Sequence, residues 1–176
     1  MRNQRRPAPP LDRERLERLA LRYVERFATT KGKLADYLRR KVRERGWEGA
    51  PPDPDALAER MEALGYVDDR AFAEARASAM ARRGLGARRV HDALRHARVG
   101  SEDMEGIAPE IEERGPDAAL AFARRKRFGP FAATPADREL MAKQLAAMAR
   151  AGHGYELSRR ILELPPGADI DADTLL

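Results

Sequence analysis

The sequence predicts an all-α protein of three tandem three-helix-bundle repeats that form an elongated, curved array. Three observations carry this reading. Apolar residues recur at three- and four-residue spacing in one stretch after another, and no stretch sustains the strict alternation of a half-buried strand. One plan, an apolar-periodic stretch followed by an Arg-rich and then an acid-leaning one, recurs three times in 176 residues, and self-similarity at a period of roughly 50 residues marks stacked supersecondary units. Charge follows the same plan. Residues 31–45 hold 7 Lys/Arg against 2 Asp/Glu, residues 70–100 hold 8 against 2, and residues 124–150 hold 7 against 2. The sign reverses between them, with 6 acids to 1 Arg over residues 53–69 and 7 acids to 1 Arg over residues 101–117.

The elements follow in order. Residues 1–10 have three Arg and three Pro but no apolar run, so they read as a disordered basic arm and not as a signal peptide. Repeat one spans residues 11–67. Leu16, Leu19, Ala20, Tyr23, Val24 and Phe27 share one helical face. Thr29-Thr30 can cap a second helix carrying Leu34, Tyr37, Leu38 and Val42, which stops at Gly46-Trp47. The successive prolines from Gly49 to Pro54 exclude a helix interior, and Asp53 or Asp55 can cap the third helix, which carries Leu57, Met61 and Leu64 and ends at Gly65.

Repeat two spans residues 68–115, with Phe72, Ala75, Ala79 and Met80 on its first helix and Val90, Ala93, Leu94 and Ala97 on its second, separated by Gly84 and Gly86. Its third helix, with Met104, Ile107 and Ile111, contains Gly106 and Pro109 and is expected to be short or kinked. Repeat three spans residues 116–164. Its stripes are Leu120, Phe122 and Ala123, then Met141, Leu145 and Met148, then Leu157, Ile161 and Leu164, with Thr134-Pro135 as N-cap and first residue of the middle helix. Residues 165–176 open with Pro-Pro-Gly, lack periodicity and read as a flexible tail.

Composition narrows the function. At 43% hydrophobic the chain has material for cores of modest thickness, and its net charge of +5 says less than the clustering of that charge. With no Cys, disulfides, thiol catalysis and Cys-based zinc sites are excluded. No apolar run approaches the roughly 18 residues that span a bilayer. There is no phosphate-binding Gly-rich loop, no HExxH and no EF-hand loop. His91 and His96 are not spaced as a helical metal pair, and His153 stands alone. Neither an active site nor a cofactor or metal site is expected. Aromatic residues are sparse at 6%, which counts against recognition of single-stranded nucleic acid by stacking, and Trp47 and Tyr66 read as packing residues.

Two segments stand out. In Gly65-Tyr66-Val67-Asp68-Asp69, the glycine can end one helix in a left-handed conformation while Asp68 or Asp69 caps the next, forming a structural joint with Phe72. In Arg82-Arg83-Gly84-Leu85-Gly86-Ala87-Arg88-Arg89, two glycines release the backbone while four guanidinium groups gather around the turn, which suits bidentate binding of carboxylate or phosphate. A folded bundle has no evident internal need for those four groups.

The run Gly65-Tyr66-Val67-Asp68-Asp69-Arg70-Ala71-Phe72-Ala73 closely resembles the G-[YL]-[LV]-D-D-x-x-[FY]-A joint of the RecX family of recombinase regulators. Residues 82–90 resemble that family's R-R-G-x-G-x-R-x-[IV] segment, and residues 121–129 its third-repeat A-x-x-x-x-x-[KR]-[FY]-G. The likeness runs in order over about residues 12–164. Departures are the proline-rich insertion at residues 49–54, Ala87 and Arg98 where Pro and Gly are common, and His153 where an aromatic usually follows the glycine.

The resemblance implies a cytoplasmic bacterial protein, not an enzyme, that binds the RecA recombinase and its DNA filament and most often inhibits it in DNA recombination, repair and the SOS response. A monomer is expected, with no membrane and only weak, non-sequence-specific binding to DNA. Candidate contacts are Arg39 and Arg40 in repeat one, Arg82, Arg83, Arg88, Arg89 and Arg95 in repeat two, and Arg124, Arg125, Lys126 and Arg127 in repeat three. These groups suit either an acidic RecA surface or DNA. The alternative is a non-sequence-specific DNA-binding protein with helix-turn-helix-like units. Sequence-specific readout is disfavoured because the basic residues are spread over three repeats and Asn occurs only at Asn3.

Overall fold

A computed structural model of the chain describes residues 9–175, and these are all-helical, with nine α-helices, two short 3-10 helices and no strand among the described residues. The expected basic arm lies outside the described residues except for Pro9 and Pro10. Their carbonyls accept hydrogen bonds from Arg45 Nη2 at 2.7 Å and Arg15 Nη1 at 2.9 Å. The helices are α1 (Arg13–Arg26), α2 (Lys31–Arg45), α3 (Pro54–Ala63), α4 (Asp69–Arg82), α5 (Ala87–His96), α6 (Ser101–Glu113), α7 (Gly115–Lys126), α8 (Arg138–Ala151) and α9 (Tyr155–Leu162). By compactness the chain forms two units, one reaching to Phe72 together with Ala97–Gly100, the other made of Ala73–His96 and Ser101–Leu176.

Unit one buries Leu11, Leu16 and Ala20 against Leu34 and Leu38 of α2, Leu57 and Met61 of α3, and Val67. Asp12, Thr30 and Asp53 cap the three helices by accepting from the N–H of Arg15 (2.8 Å), Lys33 (3.1 Å) and Ala56 (3.0 Å). Of the two aspartates able to cap α3, Asp53 does so because Pro54 occupies the first helical position. The α3 helix ends in a Schellman turn: Gly65 at φ 79 donates to Glu62 O at 2.8 Å, and Tyr66 N–H reaches Met61 O at 2.9 Å. Two residues of the expected apolar stripes, Phe27 and Leu64, are exposed, because each is the cap residue at which its helix turns out of register.

The two joint aspartates divide the work. Asp68 Oδ1 accepts from Ala71 N–H at 2.8 Å and its carbonyl from Phe72 N–H at 3.0 Å, which starts α4. Asp69 is 4% exposed, and its carboxylate accepts from the backbone N–H of Lys31 at 2.7 Å, at the start of α2. A carboxylate there meets both an orphan donor and the positive end of the helix dipole. Beside it, Thr30 donates its hydroxyl to the carbonyl of Ala97, and a Cβ on Gly32 would fall 2.5 Å from that of Arg98. Arg98 itself stands at φ 60, a left-handed conformation that favours glycine.

Unit two has Ala73, Ala77, Met80, Val90, Leu94, Ile107, Ile111 and Ala118 buried, together with a cluster of Ala119, Leu120, Phe122, Ala123, Met148, Ala151, Ile161, Leu162 and Leu175. The buried stripe of α4 is therefore offset from the expected Phe72, Ala75 and Ala79, since an alanine-rich helix gives the pattern little contrast. The α6 helix runs a full 13 residues through Pro109, longer than expected, with Ile107 and Ile111 buried on either side of the proline. Asp137, not Thr134, caps α8, accepting from Leu140 N–H at 2.8 Å. Residues 165–175, expected as a flexible tail, turn back onto α9, where Arg160 donates to the carbonyls of Leu175 (2.7 Å) and Thr174 (3.2 Å) and Leu175 is buried.

Removing a side-chain N-cap costs about 1 kcal/mol, whereas stripping the partner from a buried polar group costs about 1–3 kcal/mol. Chemical denaturation should therefore rank Asp69→Ala as more destabilising than Asp68→Ala, with Asp69→Asn between them because an amide oxygen still accepts from Lys31.

Candidate functional site

The Arg-Gly turn between α4 and α5 meets both α7 and the end of α8. Gly84 at φ 72 closes α4, its N–H donating to Ala81 O at 2.7 Å while Leu85 N–H reaches Met80 O at 3.0 Å. A Cβ on Gly84 would lie 2.9 Å from the backbone nitrogen of Phe122. A Cβ on Gly86 would lie 2.4 Å from the carbonyl carbon of Gly152, so at this point only two hydrogens separate backbone from backbone.

That closeness lets the turn cap α8. The four carbonyls from Ala149 to Gly152, at the end of α8, each accept a bond from Gly86, Arg88 or Arg89. Arg88 Nη2 donates to Ala149 O (2.9 Å) and Arg89 Nε to Arg150 O (3.0 Å). Gly86 N–H donates to Ala151 O (2.9 Å) and Arg88 N–H to Gly152 O (3.2 Å). Cationic guanidinium groups at a helix C-terminus also face the negative end of its dipole. The expectation that the bundle has no internal need for Arg88 and Arg89 is thus corrected: both hold α8 against α5. From the other side, Arg125 Nη1 donates to Arg83 O at 2.7 Å and lies 5.6 Å from the centre of the Phe122 ring.

His153 completes the contact. It is 8% exposed, its ring centre lies 5.6 Å from that of Phe122, and Nε2 donates to Gly84 O at 3.1 Å. The carbonyl can only accept, so the proton sits on Nε2, and Nδ1 is buried without a hydrogen-bond partner. Burial holds its pKa below the ordinary histidine value, opposed by the bond to Gly84.

The candidate contacts fall into separate groups. In unit one, Arg39 is ion-paired with Asp36 at 2.8 Å and with Asp55, and Arg40 lies 3.6 Å from Glu44, so both are partly neutralised. In unit two, Arg95 is paired with Asp92; that hydrogen bond, aided by the field of Arg88, lowers the Asp92 pKa. Arg82, Arg83, Arg88, Arg89, Arg124, Arg125, Lys126 and Arg127 are all exposed, and among the described residues none of them is ion-paired within 4 Å of a carboxylate, although Arg88 lies in the field of Asp92. The structure brings Arg83, Arg88, Arg89 and Arg125 together around the turn, with Arg150 at the end of α8 beside them. The sequence reading missed Arg150 and His153, because their role depends on a contact distant along the chain.

An Arg has five N–H donors, and one spent on a carbonyl leaves the rest for a carboxylate or phosphate. The arrangement is an oriented cationic surface with Asp92 as a neighbouring acid. Among the described residues no cluster of three metal-ligating side chains occurs, and no helix is long and apolar enough to cross a membrane.

No protein-family model matches the chain. It is similar to the regulatory protein RecX of Myxococcus xanthus, at 32% identity over 162 residues covering 86% of each chain. The regulatory protein RecX of Agrobacterium fabrum is 28% identical over 149 residues, 82% of this chain and 80% of that one. The protein of the same description from Thermus thermophilus is 38% identical over 110 residues, 61% of this chain and 71% of that one.

The lowered pKa of His153 predicts how stability changes with pH. Well above the unfolded value of 6.5 the ring is neutral in both states and its contribution is complete; as pH falls through 6.5 the unfolded chain takes up a proton that the folded chain resists, so stability is lost down to the folded pKa. Thermal denaturation from about pH 7 to about pH 5 should show a smaller decrease for His153→Phe than for the parent chain. An equal decrease in both would assign the pH dependence to other groups.

Proposed function

The chain belongs to the RecX family of regulatory proteins, and from that premise we propose that it binds the RecA recombinase and its nucleoprotein filament and inhibits RecA in DNA recombination, repair and the SOS response. In this reading it acts in the cytoplasm, as a monomer and without catalysis. Its helices α1–α3, α4–α6 and α7–α9 are three tandem repeats.

The observation that carries the proposal is the exposed cationic surface around the Arg-Gly turn and the end of α7, whose groups form no close ion pair among the described residues. A filament offers the matching chemistry: phosphates, and acidic side chains repeated from one protomer to the next. Weak contacts to such a lattice add through effective concentration. The second reading, binding to DNA alone, rests on the same cations, and the two differ in which target is held more tightly.

The test uses cations that cap nothing. Arg83→Ala and Lys126→Ala remove exposed charge. Arg127→Gly removes a third and also relieves a left-handed residue at φ 58, a conformation costing about 1–2 kcal/mol for an L-residue. The triple variant should keep its helicity and melt no lower than the parent chain. Its inhibition of DNA-dependent ATP hydrolysis by the RecA of the same organism should weaken about tenfold or more, the scale of losing charged interface contacts. Undiminished inhibition would move the binding face elsewhere. Equal affinity of the parent chain for RecA-coated and naked single strands would favour the DNA-binding reading.

A further inference from the structure

Sparse aromatic composition argues against base stacking, yet the fold gathers rings of this chain into one place in unit one. Tyr23 of α1 and Tyr37 of α2 stack with ring centres 4.2 Å apart and planes inclined by 22°. Phe27 tilts against Tyr23 at 5.2 Å. Both tyrosines are half-buried against the core, whereas Phe27 is 50% exposed. Phe27 is the residue at which α1 ends in extended conformation, so its ring is propped on a fixed neighbour with much of its surface in water.

Cations bracket this row. The Arg26 guanidinium lies 5.5 Å from the Phe27 ring centre, and at the far end Arg40 and Lys41 lie 5.6 and 5.8 Å from that of Tyr37. Arg40 and Lys41 are engaged by Glu44. Arg22 and Arg26 are exposed, stand four residues apart on α1 and so on one side of it, and have no acidic partner among the described residues.

We propose that Phe27, backed by Tyr23 and Tyr37 and with the Arg26 guanidinium beside it, is a stacking platform for the bases of a single-stranded nucleic acid. A supported, exposed ring supplies a π-face that any base can use, and the adjacent Arg26 guanidinium can meet a neighbouring phosphate. Other exposed apolar side chains, Leu64, Tyr66, Leu140 and Tyr155, have no such backing by rings and cations. Charge favours a polyanion over an apolar protein partner here. The site is built from residues of unit one alone, and the proposal does not depend on RecA.

The test measures fluorescence anisotropy of a labelled oligothymidylate and of an abasic oligonucleotide of the same length, with the full chain and no RecA present. Phe27→Leu keeps apolar bulk but removes the π-face; it should weaken oligothymidylate binding about fivefold or more, while leaving the abasic strand unaffected. Phe27→Trp should retain binding. Arg26→Ala should weaken both strands and lower the salt dependence. Helicity and melting temperature, measured for each variant, separate these effects from misfolding. Equal affinity of the parent chain for the two strands, or an unchanged Phe27→Leu, overturns the proposal. So does a Phe27→Leu that binds naked strands normally but a RecA filament poorly, since the ring would then be a protein contact. Because no RecA enters the anisotropy measurement, its failure leaves the regulatory reading standing, and failure of the filament experiment leaves this one standing.

Discussion

Short helices leave a large fraction of their backbone polar groups without partners, and meeting that demand organises this protein. Its α-helices run from 8 to 15 residues, and each has four N–H groups at one end and four carbonyls at the other that the helix itself cannot satisfy. Helices of this length are marginal alone. Some ends are closed locally, by an aspartate or threonine before the first turn or a Schellman turn after the last. The remaining closures come from elsewhere in the chain: Asp69 serves the start of α2, Thr30 reaches the carbonyl of Ala97, and Gly86, Arg88 and Arg89 serve the end of α8. These remote closures tie each unit together, because every one of them makes the stability of one helix conditional on the position of another.

The same demand bears on recognition. Arg88 and Arg89 are positioned by the carbonyls they cap, and an exposed guanidinium held in this way loses less freedom when it meets an anion than one on an unconstrained stem. Scaffold and surface therefore share side chains, and substitutions at these two positions mix stability with binding. Lys126 and Arg127, at the end of α7, carry charge without that double duty.

Local chemistry was legible in the sequence and remote chemistry was not. Asp12, Thr30 and Asp53 occur where a cap can act on the next turn, and Gly65 ends its helix by a conformation intrinsic to its lack of a side chain. Periodicity identified α1–α3 and α7–α9 because Leu, Ile and Met contrast with charged neighbours. It misplaced the buried stripe of α4, where alanines on every side blur the pattern. Gly106 and Pro109 led to the expectation of a short or kinked helix, but α6 runs 13 residues with Ile107 and Ile111 buried on either side of the proline. The guanidinium caps had no local signature, since their acceptors are carbonyls at the end of a different helix. Aromatic content, a property averaged over the chain, concealed the row formed by Tyr23, Tyr37 and Phe27.

The contact between the Arg-Gly turn and the end of α8 joins positions as far apart in sequence as Gly84 and His153, 69 residues. During synthesis, the turn leaves the ribosome well before its partners exist. The closure that holds unit two is then a late, long-range event. Until His153 emerges, the carbonyl of Gly84 and the backbone of Gly86 face water instead of α8. A nascent chain stalled ahead of α8 would carry the recognisable arginines of this family on a turn not yet fixed by its partner helix. Competence to bind would then be acquired only when nearly all of the chain has been made.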